Sequence, residues 1–206
     1  LPKDIYIVDV QEVDEFFHAR FCVKEKTYEY RIHCGEYDVF KRNYAAYQRD
    51  SLDLEAMKEA SRVFIGTKDF TSFNASPLAL YPDQVRTVYA IDILEDHEDI
   101  VLRFKGKGFL RYMVRMMSAM LIEVGNHRAT KEDIEKMLNE CSKTACKKNA
   151  PAPGLTLVHI DYFELYAKED HYLIREAFME EDTDKLVITR DDVLVGYVIL
   201  NKDEIR

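Results

Sequence analysis

A strand, a glycine-punctuated basic loop and an apolar-faced helix follow one another without a break from Ile100 to Val124, and this run constrains the fold more than any other part of the chain. Ile100 to Phe104 has the composition of a strand, and Lys105-Gly106-Lys107-Gly108 leads out of it. From Gly108 to Val124 the spacing predicts a helix: Phe109, Met113, Met116, Met120 and Val124 recur at steps of three or four and define one face. Arg111 and Arg115 project together from the other side. Between Val101 and Ile122 there are five basic residues and no acidic one. Glycines let a backbone come close to a ligand, a helix N-terminus presents unpaired amides, and lysine and arginine neutralise phosphate. The segment therefore predicts a polyanionic partner. The alternative is a hairpin exit followed by a solvated basic helix face. The G-x-x-x-x-G-K-[ST] spacing is absent, which argues against nucleoside triphosphate chemistry.

The rest of the chain supplies a sheet for that helix to cover. Ile5 to Val13 and Phe21 to Ile32 alternate as strands, and Leu54, Met57, Ala60/Ser61 and Phe64 fall at helical spacing behind a cap at Asp50 or Ser51, ending at Gly66. After a loop with Asn74, Pro77 and Pro82, Arg86 to Leu94 and Ile100 to Phe104 read as an antiparallel pair joined by the acidic turn Glu95-Asp96-His97-Glu98-Asp99. Carboxylates that alternate sides of a short turn cannot converge on one ion, so this turn is expected to be solvated. Thr130 caps a helix over Lys131 to Glu140, and Ala150-Pro151-Ala152-Pro153-Gly154 is a stiff connector into a strand from Leu155 to Phe163. His171 to Met179 reads as a helix, and Lys185 to Thr189 with Val193 to Leu200 as a hairpin around Arg190-Asp191-Asp192. These elements interleave through short connections, and the expected fold class is α+β: a mostly antiparallel mixed sheet with helices packed on one face.

Charge narrows the function. The formal net charge of -9 argues against indiscriminate coating of nucleic acid. Residues 163–206 hold 12 acidic and 6 basic side chains, a net of -6, whereas 1–162 hold 26 and 23, a net of -3. The main body is thus nearly balanced, with a local basic stripe. Cys22, Cys34, Cys141 and Cys146 lack C-x-x-C spacing, and the six histidines form no nucleophile or metal arrangement with them. Free thiols in a reducing cytoplasm, no bound metal and no membrane association are expected. Nothing at the N-terminus has the layout of a signal peptide, and without an initiator Met, Leu1 is expected to be a truncation or processing point.

A second stretch, Lys24-Glu25-Lys26-Thr27-Tyr28-Glu29-Tyr30-Arg31, places Tyr28 and Tyr30 on one strand face and pairs Lys24 with Lys26 by the same alternation. A base can stack on tyrosine while lysines meet phosphates. Core or cross-strand packing of the tyrosines is the other reading.

Taken together, these segments resemble the TruA family of tRNA pseudouridine synthases. Leu1-Pro2-Lys3-Asp4-Ile5 and Phe17-His18-Ala19-Arg20-Phe21 are similar to the family's L-P-x-D-I and F-H-A-R-F, and Lys26-Thr27-Tyr28-Glu29-Tyr30 to its K/R-x-Y-x-Y strand. Gly66-Thr67-Lys68-Asp69-Phe70-Thr71-Ser72-Phe73 resembles G-x-H/N-D-F-x-x-F, with Lys68 where His or Asn is commoner. Arg86-Thr87, Phe109 with Met113-Val114-Arg115, and Ala150-Pro151-Ala152-Pro153-Gly154-Leu155-Thr156-Leu157 continue the match in the family's order. The resemblance covers about 1–162 and leaves 163–206 as an acidic extension. It implies half of a pseudouridine-synthase fold, isomerisation of uridine in the tRNA anticodon stem-loop without metal or organic cofactor, and a cytoplasmic homodimer in the full-length protein. It also implies that Tyr28 packs against the target uracil and that Arg115 pairs with a nucleophilic aspartate. Lys105, Lys107 and Arg111 are expected, on charge, to contact phosphate.

The family's nucleophile lies in an R-T-D-x-G-x-H motif, and that motif does not occur in this chain. Thr189-Arg190-Asp191-Asp192 has the wrong order and lies at the wrong end. The chain is therefore expected to correspond to the C-terminal half of such an enzyme, with the nucleophilic aspartate upstream, and to bind RNA without turnover. A non-catalytic RNA-binding module and a structural domain whose basic stripe pairs with the acidic tail are the alternatives.

Overall fold

In a computed structural model, residues 1–2, 5–7, 10, 13 and 17–163 are described in full, together with the backbone of 184–190 and 193–200. The elements in chain order are β1 (Val23–Cys34), β2 (Ala46–Gln48), α1 (Leu54–Ser61), β3 (Gly66–Asp69), β4 (Val85–Asp96), β5 (Asp99–Gly106), α2 (Met113–Gly125), α3 (Lys131–Glu140), β6 (Leu155–Tyr162), β7 (Asp184–Arg190) and β8 (Val193–Leu200). Among the described residues the main sheet has the order β2-β1-β5-β4-β3, with β6 also paired to β1. β3/β4 and β4/β5 are antiparallel and the short edge strand β2 is parallel to β1, which makes the α+β class and the mostly antiparallel sheet correct. The predicted hairpin pairs as β7 with β8, from Asp184 opposite Leu200 to Arg190 opposite Val193. The helix expected over 171–179 and the turn residues Asp191 and Asp192 lie outside the described residues.

Contacts divide the chain into two units, 27–157 and a second formed by 1–26 with 158–206. In the first, Tyr30 and Ile32 of β1, Ile91 and Ile93 of β4, and Ile100, Leu102 and Phe104 of β5 share one core with Met57 and Ala60 of α1, Met113, Met117 and Leu121 of α2, and Ile134 and Leu138 of α3. Alternate residues of three adjacent strands meet all three helices, so the helices cover one face of the sheet. A bulge between Val88 and Ala90 shifts the alternation, and that shift lets Val88 and Ile91, an odd number of residues apart, both face the core. The other face carries charge, with Glu29 on β1 accepting from Arg103 on β5 at 2.7 Å. In the second unit Phe17, Ala19, Cys22, Val23 and Ile160 form a smaller core, where the Phe17 and Tyr162 rings meet edge-on at 5.0 Å and the Tyr162 hydroxyl donates to the Ala19 carbonyl.

Four expectations need correction. None of the described residues between Ile5 and Val13 is in a strand: Ile5, Tyr6, Ile7 and Val10 are exposed, and Val13 is partly buried against the smaller core. The cap of α1 is Asp53, whose carboxylate accepts from Ala56 N at 3.0 Å; Asp50 and Ser51 lie before it. The acidic turn between β4 and β5 is only His97-Glu98, with His97 at φ 59°, because the pairing continues to Asp96 opposite Asp99. Asp99 is consequently not solvated: it is 5% exposed and accepts from Lys41 Nζ at 2.9 Å and Arg31 at 3.1 Å, with His33 Nδ1 at 2.7 Å. Burial works against this carboxylate, yet the bonds from Lys41, His33 and Arg31 outweigh it and hold its pKa below the ordinary carboxylate value. Thr130 caps α3 as expected and forms a reciprocal capping box with Asp133.

Candidate functional site

The basic loop does not run directly into a helix. Tyr112 takes a left-handed backbone conformation, φ 65°, so Gly108 to Arg111 stay outside and α2 starts at Met113. Phe109 and Arg111 are therefore loop residues. The predicted face of Met113, Met116, Met120 and Val124 is buried, but Val114, Met117, Ser118, Ala119 and Leu121 are buried too. A helix buried nearly all round is a core element, and its polar exceptions carry the information.

Arg115 is one such exception. Its Nε donates to the Ala150 carbonyl at 2.7 Å, and the Ala150 amide donates back to the Arg115 carbonyl at 3.2 Å. Arg111 reaches the same place by a different route: the Arg111 and Arg115 guanidinium carbons lie 5.0 and 4.8 Å from the Tyr112 ring centroid. The two arginines converge as expected, through Tyr112 and not through helical spacing. Arg111, and then Arg115, lower the pKa of the Tyr112 phenol.

Tyr28 and Tyr30 point to one face of β1 and divide the labour. Tyr30 is fully buried, donates to the Pro151 carbonyl at 2.8 Å, and has its phenol pKa pushed far up by burial, partly offset by the Arg115 charge. A Cβ on Gly154 would sit 2.8 Å from that ring and from the Arg31 carbonyl, so the glycine of the A-P-x-x-G segment is what lets the connector lie against β1. Tyr28 is half-buried and meets the Phe109 ring edge-on, at 5.4 Å and 87°. Phe109 in turn occupies the space left at Gly106, where a Cβ would fall 3.0 Å from its ring and 2.7 Å from the Thr87 carbonyl. Packing, not approach to a ligand, demands glycine at 106; Gly108 has open space around its α-carbon.

The remaining expected contacts are dispersed. Lys105 lies in register with Arg103, on the face of β5 away from the core, while Lys107 is exposed in the loop. Among the described residues none of Lys105, Lys107, Arg111 or Arg115 is in an ion pair. Lys24 is paired with Asp161 at 3.3 Å, and burial, then Arg20, lowers the Lys26 pKa. Phe70 and Phe73 of the G-x-x-D-F-x-x-F segment are wholly buried, which makes that motif a packing device. Sequence reasoning passed over Tyr112 and the lysines at 143, 147 and 148; the absence of any acidic residue from Cys141 to Ile160 was the available signal. No cluster of three metal-ligating side chains occurs among the described residues. Nor is any helix among them long and apolar enough to cross a membrane.

Fold and connected motifs thus define an α+β domain whose motif residues on β1, in the loop before α2, on α2 and in the 150–154 connector are packed against one another. Residues 60–163 match the family model of tRNA pseudouridine synthases. The tRNA pseudouridine synthase A of Anoxybacillus flavithermus is 39% identical over 162 residues, covering 79% of this chain and 65% of that protein. Those of Bacillus licheniformis and Lactobacillus acidophilus are 42% and 40% identical, over 79% and 84% of this chain and 66% and 68% of their own lengths. The chain belongs to the tRNA pseudouridine synthase family, on the TruA side of it. It spans a little under two thirds of the first of these relatives.

Proposed function

We propose that this chain carries the substrate-facing part of a tRNA uridine-to-pseudouridine isomerase that acts on the anticodon stem-loop, and that it lacks the nucleophile. The reaction breaks the bond from N1 to the ribose, forms one from C5, and exchanges the C5 proton for one on N1. A carboxylate forms the covalent adduct with the flipped nucleotide. In this reading Arg115 holds that carboxylate. Its Nε is committed to Ala150, which leaves the two terminal nitrogens as a fork of the geometry an aspartate accepts. Tyr28, steered by Phe109, packs against the uracil and helps move the C5 proton, while Lys105, Lys107 and Arg111 contact phosphates. The working assembly is a cytoplasmic homodimer that needs no metal or organic cofactor.

The observation that carries this reading is the connectedness of the motif residues: Gly106, Phe109 and Tyr28 form one contact chain, and Arg115, Ala150, Pro151 and Tyr30 another. The absence of R-T-D-x-G-x-H favours one second reading, an RNA-binding module without chemistry of its own. Both expect salt-dependent tRNA binding by this chain. Unmodified tRNA tritiated at uridine C5 tests the missing nucleophile: the chain alone binds it and releases no tritium. Release of tritium by this chain would overturn the proposal.

A further inference from the structure

The segment after α3 and the loop before β4 enclose a groove of about 470 Å³ whose walls include Tyr112, Lys143, Lys147, Lys148, Asn74 and Asn149. No carboxylate lines it, in a chain with nine more acidic than basic side chains. Its floor is built. Lys143 Nζ donates to the Asn74 carbonyl at 3.2 Å, to Asn74 Oδ1 at 2.6 Å and to Gln84 Oε1 at 3.0 Å, all neutral acceptors. A bond from the Ala75 amide to the Arg111 carbonyl ties the 74–78 loop to the residue beside Tyr112. Lys147 is exposed and in no ion pair among the described residues, whereas Lys148 is shared with Glu123 at 3.0 Å. On one wall stands Tyr112, an aromatic in a left-handed conformation that side chains seldom adopt, flanked by two guanidinium groups.

We propose that this groove holds a phosphodiester of single-stranded RNA, with the adjoining base laid on the Arg111–Tyr112–Arg115 stack. The inference rests on the RNA-directed reading above and names the place where the strand beside the target nucleotide is held. Lys143, bonded only to neutral acceptors, and Lys147, in no ion pair among the described residues, supply the field for a phosphate, Lys148 being offset by Glu123. The arginine and tyrosine side chains supply planes that any base can cover. Arg115 is then shared: its guanidinium lies against Tyr112, which lines the groove, while its Nε stays on Ala150.

The chain contains no tryptophan, so Tyr112→Trp introduces a single reporter. Binding of an oligouridylate is expected to quench its emission, whereas inorganic polyphosphate, which has charge but no bases, is expected to compete for the groove without quenching. Separately, Lys147→Ala is expected to lower the slope of log affinity against log salt for the oligouridylate by about 0.7, the value for one lost phosphate contact on a single strand. Circular dichroism checks that both variants keep the fold. An unchanged slope in Lys147→Ala, or an indole indifferent to RNA, overturns the groove while leaving the wider reading standing. Wild-type protein that binds no RNA at any salt overturns both, and quenching by polyphosphate equal to that by RNA overturns the stacking.

Discussion

Arg115 and Ala150 are bonded to each other twice, side chain to carbonyl at 2.7 Å and amide to carbonyl at 3.2 Å, across 35 residues of sequence. The first bond fixes where the guanidinium lies; the second fixes where the A-P-x-x-G connector starts. Removing either partner should therefore be felt at both.

Arg115→Met keeps most of the side-chain volume and leaves the Ala150 carbonyl without its charged donor. It is expected to cost about 1–3 kcal/mol, read as a lower urea midpoint at unchanged slope. Arg115→Lys should recover little of this, because an ammonium cannot donate from the Nε position while presenting a fork beyond it.

The glycines separate cleanly. Gly154→Ala and Gly106→Ala each place a Cβ within 2.8 Å of a backbone carbonyl, against Tyr30 in one case and Phe109 in the other. Each should destabilise by about 1–3 kcal/mol, and Gly106→Ala should also disturb the Tyr28–Phe109 contact. Gly108→Ala meets nothing within 4 Å and should stay within about 0.5 kcal/mol of wild type. Thermal unfolding of the three variants side by side is the check.

Asp99 ties acid stability to the β4–β5 hairpin. Its folded pKa is depressed, so its contribution is fully present above the unfolded value, near pH 4, and is lost as pH falls further through the folded value. Asp99→Asn removes the negative charge shared by Arg31, His33 and Lys41 and turns one of its two acceptor oxygens into a donor, and should cost about 3–5 kcal/mol near neutrality. The gap between wild type and variant should narrow from pH 4 downward. A gap that is constant across that range contradicts the assignment.

Lys107→Ala and Arg111→Ala should weaken binding of unmodified tRNA with no change in fold, each reducing the salt slope by about 0.7–0.9. Double-variant slopes that are no smaller than the single ones would mean that the two cations do not meet separate phosphates.

The helix at 113–125 was legible because a long run of apolar residues at helical spacing admits little else, and α3 because Thr130 and Asp133 stand three apart at its start. The true beginning of α2 was not. It depends on one residue, Tyr112, being held in a conformation that its own chemistry disfavours, and only the surrounding arginines and the buried Leu110 and Met113 supply the reason. Asp99 was misplaced for a related cause: the string Glu95 to Asp99 is uniformly polar, and which of its carboxylates turns inward depends on Arg31, His33 and Lys41 arriving from β1 and the loop after it.

Composition and spacing alone were enough for the α+β class, the antiparallel pairing of β4 with β5 and the basic stripe, because periodicity and charge are properties of neighbours along the chain; the family was legible through the resemblance of its ordered motifs. Tertiary structure decided which glycine is demanded by packing, which tyrosine is core, that Arg111 and Arg115 meet on Tyr112, and that Tyr112 lines with Lys143, Lys147 and Lys148 a groove free of carboxylates. Some of these relations join residues far apart in sequence and others join near neighbours, but all are set by backbone conformation and by which side chains the sheet and α2 leave room for, so periodicity does not encode them.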